Sequence, residues 1–245
     1  MAVIILGYLL SVIPTVALFL WLRNSLRKDD AAYRKLCGET LRRGVLCTFP
    51  IIAGSGILSL LLAVSGIKNS SQLLYQALYD FIAIALVEET VKFLTFRRSL
   101  EKTDYPYSWM DITAIMTIVG LGFGAAENIV VAINSGIVPM LIRAVTIAHG
   151  GYGFVVGYFY GKGVKTGKGI YKVIGFVLIW LMHGLYDFSL SDEFIAVNDN
   201  LVVVAVLLAV LDLVLAVALI VFFAKARKQE RYTEPLHRME QIPEI

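Results

Sequence analysis

The chain has 245 residues, 58 % of them hydrophobic and only 17 % charged, with a formal net charge of +3. A soluble domain has no use for so much apolar surface, and so small and mixed a charge gives no footing to a nucleic-acid partner. Apolar stretches of about 18 residues or more, the length of a transmembrane helix, recur throughout. The expected fold class is therefore all-α, a polytopic transmembrane helix bundle of about seven helices in a lipid bilayer.

Seven apolar segments are predicted to span, at about 3–22, 44–66, 74–96, 110–133, 138–161, 173–191 and 200–224. Each is long enough for a hydrocarbon core of about 30 Å at 1.5 Å per residue. No charge precedes the first segment, Arg23 follows it, and its apolar run exceeds the ~7–15 residues of a secretory signal. It reads as a retained helix with its N-terminus outside. Connections 23–43, 97–109 and 162–172, with the end 225–245, hold nineteen of the 22 basic residues. The opposite connections hold Lys68 and the acidic "SDEFIAVNDN". The positive-inside rule then puts the C-terminus in the cytoplasm. One transmembrane domain is expected over 1–224, with its motif core at about 80–190. A basic, polar, loosely ordered cytoplasmic tail is expected over 225–245. Cys37 and Cys47 fall on the cytoplasmic side, where thiols stay reduced and no structural disulfide is expected. Gly153, Gly157 and Gly161 are spaced by four, as are Gly120 and Gly124. Such small-residue faces let membrane helices approach closely, here for packing within the chain rather than dimerisation.

The stretch "FIAIALVEETVKFL" (residues 81–94) sets charges inside an apolar run. An ionisable side chain at mid-membrane costs about 2.5–3.5 kcal/mol on insertion scales, so such groups turn toward a protein interior or a water-filled cavity. Glu88 and Lys92 are four apart and Glu89 and Lys92 three apart, so all three share one side of their helix. Two carboxylates so placed resist joint ionisation, and Lys92 offsets them; a poised carboxylate suits general-base work. In the next segment "GFGAAENI" sets Glu127 four after Phe123, beside Asn128. His149 in "TIAHGGYG" has glycines beside it that leave room for a ligand or a substrate backbone. His183 and Asp187 in "LMHGLYDF" are four apart, so the carboxylate can orient the imidazole. Counted along their segments, Glu88, His149 and His183 lie near a common mid-membrane level, which makes one shared cavity feasible.

Each residue also has a bland reading. Glu89 and Lys92 form a structural ion pair, or His149 bonds a neighbouring helix. Asp212, alone in the last segment, reads as structural. Arg143 can snorkel to the outer interface. Lys102, Asp104 and Asp111 sit at or near the cytoplasmic boundary, where solvation is cheap. Trp109 and the tyrosines read as an interfacial belt or packing. The ensemble resists this account: two adjacent acids with a lysine, a further Glu, two His and an Asp occupy four consecutive segments. The chain has no HExxH pair, no GxSxG elbow and no GxxxxGK[ST] loop, and neither cysteine is near the polar set. Water activated by a carboxylate, a His or a metal held by both remains. A Glu/His set could hold Zn²⁺ with an open position.

"EETVK" (Glu88, Glu89, Lys92), "FGAAE" (Phe123, Glu127), His149 and "HGLYD" (His183, Asp187), in that order, resemble the PrsW family of intramembrane proteases. That family is related to the CAAX prenyl endopeptidases of the ABI superfamily. The CAAX-processing branch carries EExxxR and a His where Glu127 stands, so the PrsW branch fits better. The resemblance implies hydrolysis of a peptide bond in a membrane-anchored substrate. A single-span anti-sigma factor cut at site 1 in stress signalling fits that pattern, in a bacterial cell membrane. It further implies Glu88 as base, tuned by Glu89 and Lys92, with His183 and Asp187 polarising the scissile carbonyl. Glu127 and His149 would position the water or, with His183, bind a divalent metal such as zinc. Phe123 and Asn128 would support them. The competing reading is an ion- or proton-coupled transporter using the same cluster, although the repeated halves common in transporters are missing. A non-catalytic scaffold is the third.

Overall fold

The structure, a computed structural model, describes residues 2–27, 30–101, 105–134 and 147–236. It is an all-α bundle. The principal helices are α1 (Ala2–Ser25), α2 (Ala31–Leu46), α3 (Thr48–Val64), α4 (72–101), α5 (Trp109–Asn134), α6 (Ala148–Thr166), α7 (Ile170–Ser189) and α8 (Val202–Ala226). Short turns at Ile67–Ser70, Asp192–Ile195 and Glu230–Thr233 join or follow them.

Among the described residues five stretches are long and apolar enough to cross a membrane: Gly7–Ser25, Ala31–Val64, Trp109–Val131, Ile170–Ser189 and Val202–Ala226. The outer faces of α3 and α8 are strongly apolar. Phe49, Leu60 and Val64 on α3, and Val206, Leu207 and Val217 on α8, are all more than half exposed. Apolar patches of that extent are buried in hydrocarbon rather than left in water. The protein is a multi-pass membrane protein. The predicted spans 74–96 and 138–161 fall on α4 and α6. α4 carries Asp80, Glu88, Glu89 and Lys92 along its length, and the described part of α6 is only 19 residues, rich in glycine. Residues 138–146 of the fifth prediction, with Arg143, lie outside the described residues, as do Lys102 and Asp104.

Several expectations are corrected. The connection predicted over 23–43 is mostly α2, whose first turn is capped by Asp30: its carboxylate accepts from the Tyr33 amide at 2.9 Å. The break between α2 and α3 comes at Cys47, just before Pro50, which has no amide hydrogen to continue the ladder. The tail is also not loose over its described part. Leu236 N donates to Tyr107 O at 2.8 Å, and Ser108 pairs with Pro235. Arg27 donates to Thr233 O at 2.9 Å while gripping Asp111 with two further bonds, at 3.0 and 2.7 Å. Asp111 is consequently fully buried rather than solvated at a boundary.

α5 is the central post of the bundle. Met110, Ile112, Ile115, Met116 and Val119 are all inaccessible, because α1, α2, α4 and α6 pack around it. Its most extensive partner is α6, and the predicted glycine face is the reason. A Cβ on Gly153 would stand 2.5 Å from the Met116 carbonyl oxygen, so nothing larger than glycine allows this approach. Trp109, read as a belt residue, packs at this interface and donates to Tyr158 O at 2.9 Å.

Candidate active site

α4 delivers the acids. It is α-helical over Gln72–Leu78, π-helical over Tyr79–Leu86 and α-helical again over Val87–Glu101. Glu88, Glu89 and Lys92 follow the π-helical part directly, on the face turned into the bundle, and all three are buried. Lys92 Nζ lies 2.7 Å from Glu89 Oε1 and 3.5 Å from Glu88 Oε2, on the spacing expected of (i, i+3) and (i, i+4) pairs.

α6 brings His149 in its first turn. Its Nδ1 lies 3.1 Å from Lys92 Nζ, and its Nε2 lies 2.6 Å from Glu127 Oε2 on α5. An ammonium can only donate, so Nδ1 is the acceptor, and Nε2 carries the hydrogen that faces Glu127. The Phe123 ring closes the site from α5, edge-on to His149 at 4.8 Å between centroids and 4.6 Å from Lys92 Nζ. A Cβ on Gly120 would collide with the His149 carbonyl, so that glycine sets how deeply α6 seats. Ile147, two residues before His149, has φ 50° and ψ 37°. A β-branched side chain is strained in that left-handed region.

α7 completes the set. His183 Nδ1 is 2.8 Å from Glu89 Oε1, and its Nε2 is 3.3 Å from Asp187 Oδ2 and 3.8 Å from Glu88 Oε2. The two imidazoles stand edge-on to each other at 5.3 Å between centroids. The structure thus brings Glu88, Glu89, Lys92, Glu127, His149, His183 and Asp187 together from α4, α5, α6 and α7. Asn128 lines a recess of about 310 Å³ with Thr15, Gly124, Ile147 and His149. A cleft of about 230 Å³ opens beside the centre, lined by Ala148, His149, Tyr152, His183, Tyr186 and Asp187.

Two residues were missed in the sequence. Tyr152 lines the cleft with its ring 5.4 Å from that of His183, and its hydroxyl donates to Asp212 on α8 at 3.3 Å. Asp212, read as structural, therefore holds a residue of the site. Asp80, buried on α4 and bonded by Gln76 at 2.9 Å, is an acid inside an apolar run. The rule that singled out Glu88 would have found it.

The donor chemistry suits a divalent cation. One atom each from Glu88, Glu89, His149 and His183 lies within 4.8 Å of the others. Among these four, Glu88, Glu89 and His149 are also touched by the Lys92 ammonium. Glu127, a metal candidate on sequence, instead meets the outer nitrogen of His149, as a group that orients a ligand does.

Apolar outer faces around a buried centre of two carboxylates, a lysine and two imidazoles define the class: an integral membrane protein with an ionisable site inside its helical bundle. The model of the PrsW family intramembrane metalloprotease matches residues 35–224. The chain is 32 % identical over 129 residues to the protease PrsW of Oceanobacillus iheyensis, covering 50 % of this chain and 60 % of that protein. It is 31 % identical over 155 residues to the protease PrsW of Geobacillus kaustophilus, covering 60 % and 63 %. With the protease PrsW of Clostridioides difficile it shares 25 % identity over 199 residues, covering 76 % and 80 %. The chain thus spans less than two thirds of the length of the first two relatives. No solved structure matches. The chain belongs to the PrsW family.

Proposed function

We propose that the protein is an intramembrane endopeptidase in which Glu88 is the general base. The observation that carries this is an inequality between the paired acids. Glu89 is committed twice over, to Lys92 at 2.7 Å and His183 at 2.8 Å, whereas the nearest cations to Glu88 stand at 3.5 and 3.8 Å. The carboxylate with looser partners is the one free to exchange a proton. Glu88 takes a proton from water as the oxygen attacks the scissile carbonyl carbon, and the carbonyl becomes an oxyanion. The proton then passes from Glu88 to the leaving amine as the C–N bond breaks. His183 is held at Nδ1 by Glu89, and its Nε2–H, in the looser contact with Asp187, is the one shared with the oxyanion in the cleft. Glu127 holds His149, and Phe123 screens the site from lipid. The family's metal, where bound, would draw its ligands from Glu88, Glu89, His149 and His183 and would supply Lewis-acid polarisation of the carbonyl in place of the His183 donor.

The substrate that fits is a single-span membrane protein, such as an anti-sigma factor cut in stress signalling, in a bacterial cell membrane. The Lys/Arg asymmetry supports an arrangement of seven spans with the N-terminus outside and the C-terminus in the cytoplasm. The test is cleavage of a single-span anti-sigma substrate by the protein purified in detergent. Glu88→Gln abolishes cleavage while leaving thermal stability in detergent near wild type, and His183→Ala abolishes cleavage as well. A chelator removes activity, and Zn²⁺ restores it, if the metal is resident. Cleavage by Glu88→Gln at the wild-type rate defeats the assignment.

A further inference from the structure

α4 does not run as one regular helix. Eight residues, Tyr79–Leu86, are wound as π-helix immediately before the two acids. A π-helix closes its hydrogen bonds from i to i+5, and such segments frequently sit at functional sites. Its effect is rotational. In an α-helix each residue turns the chain by about 100°, so every extra residue taken up by wider turns re-aims all that follows. Glu88 and Glu89 come two and three residues after the end of the segment, and their direction is set by it.

One face of α7 grips this segment. Trp180, His183, Gly184 and Asp187 share a side, at i, i+3, i+4 and i+7. Trp180 Nε1 donates to the Phe81 backbone carbonyl at 2.7 Å. The Phe81 ring lies against Gly184, where a Cβ would stand 2.6 Å from its Cδ1. His183, between them in sequence, receives Glu89 at 2.8 Å. A helix carbonyl keeps a second lone pair, so the Trp180 N–H can add to it, as the Trp109 N–H does at Tyr158 O on α6. The residue that touches the π-helical carbonyl and the residue that meets the acid are thus three apart on one rigid helix.

We propose that Trp180 is a positioning residue: through its hydrogen bond to Phe81 it holds the π-helical winding of α4 that aims Glu88 and Glu89 at His183. The proposal rests on the catalytic reading above for its kinetic consequence, but not for its structural one.

The experiment uses the full chain in detergent micelles with the single-span substrate. Trp180→Phe keeps an aromatic ring and removes the N–H. We expect kcat to fall roughly tenfold, the scale of one lost hydrogen bond, with KM and the thermal midpoint unchanged. The sequence has three histidines, so ¹⁵N-histidine NMR reads the site directly. The His183 ring signals shift in Trp180→Phe, and those of His149 hold. A wild-type kcat, or a fall in kcat without a His183 shift, overturns the proposal. Deletion of Ala83 abolishes cleavage, and re-inserting one alanine after Ala85 restores it; a folded deletion variant of full activity also overturns the proposal. If the deletion does not fold, Trp180→Phe decides alone. Should the wild type cleave nothing, or Glu88→Gln cleave normally, the catalytic reading falls, and the His183 signals still decide whether Trp180 sets the contact.

Discussion

Replacing Lys92 with methionine isolates what the ammonium does, because an unbranched apolar stem remains and the terminal ammonium is lost. In the structure that ammonium is 1 % exposed and within reach of Glu89 at 2.7 Å, His149 at 3.1 Å and Glu88 at 3.5 Å. Glu89 beside it is equally buried. Removing one partner of a buried ion pair strands the other, at a cost of about 3–5 kcal/mol. That is more than two powers of ten in the folding equilibrium. Replacing both charges is far milder, since the desolvation cost leaves with them. Lys92→Met combined with Glu89→Gln should therefore be more stable than Lys92→Met alone, with a coupling of about 2–3 kcal/mol across the cycle. Equilibrium unfolding in mixed SDS micelles, followed by tryptophan fluorescence, measures all four corners. A loss under about 1 kcal/mol for Lys92→Met, or strict additivity in the double variant, refutes a desolvated pair.

Two further outcomes test the helix packing and the α2 cap. Gly120→Ala forces α6 away from α5 at His149; overpacking costs about 1–3 kcal/mol, and a misplacement near 1 Å lowers kcat/KM by on the order of 10²-fold. Gly56→Ala, which meets nothing within 4 Å, serves as the control and leaves kcat/KM unchanged. At the start of α2, the Tyr33 amide holds the Asp30 carboxyl below the usual aspartate range. A lowered folded pKa means the cap stabilises fully above the ordinary value near 4 and is lost as pH falls through the folded one. Asp30→Ala should cost about 1 kcal/mol at neutral pH, with the gap to wild type closing on acidification in thermal melts. Asp30→Asn, which caps without titrating, should not show that dependence.

Much of the site was legible because a charge in an apolar run is expensive wherever the helix goes. That cost marked Glu88, Glu89, Lys92, Glu127, His149, His183 and Asp187 before any helix was placed, and the (i, i+4) spacings put Lys92 with Glu88 and His183 with Asp187. Asp111 shows where counting along the chain fails. It was assigned a solvated boundary from its depth, but Arg27, 84 residues away, reaches across to bury it. Tyr152 was invisible for a similar reason: a tyrosine in a glycine-rich helix is unremarkable until two imidazoles stand beside its ring.

Composition and periodicity alone determined an all-α membrane protein and the polar groups that must face inward, since both follow from the cost of exposing charge to hydrocarbon. Only the tertiary structure decided which acid is locked and which is loose, and that Lys92 stands between Glu89 and His149. Those are distances between helices, set by glycine contacts on α5 and α6 and by the π-helical winding of α4. The glycine spacing showed that helices would approach closely there, but not which helices meet or how deeply, and the π-helical winding left no trace in the spacing at all.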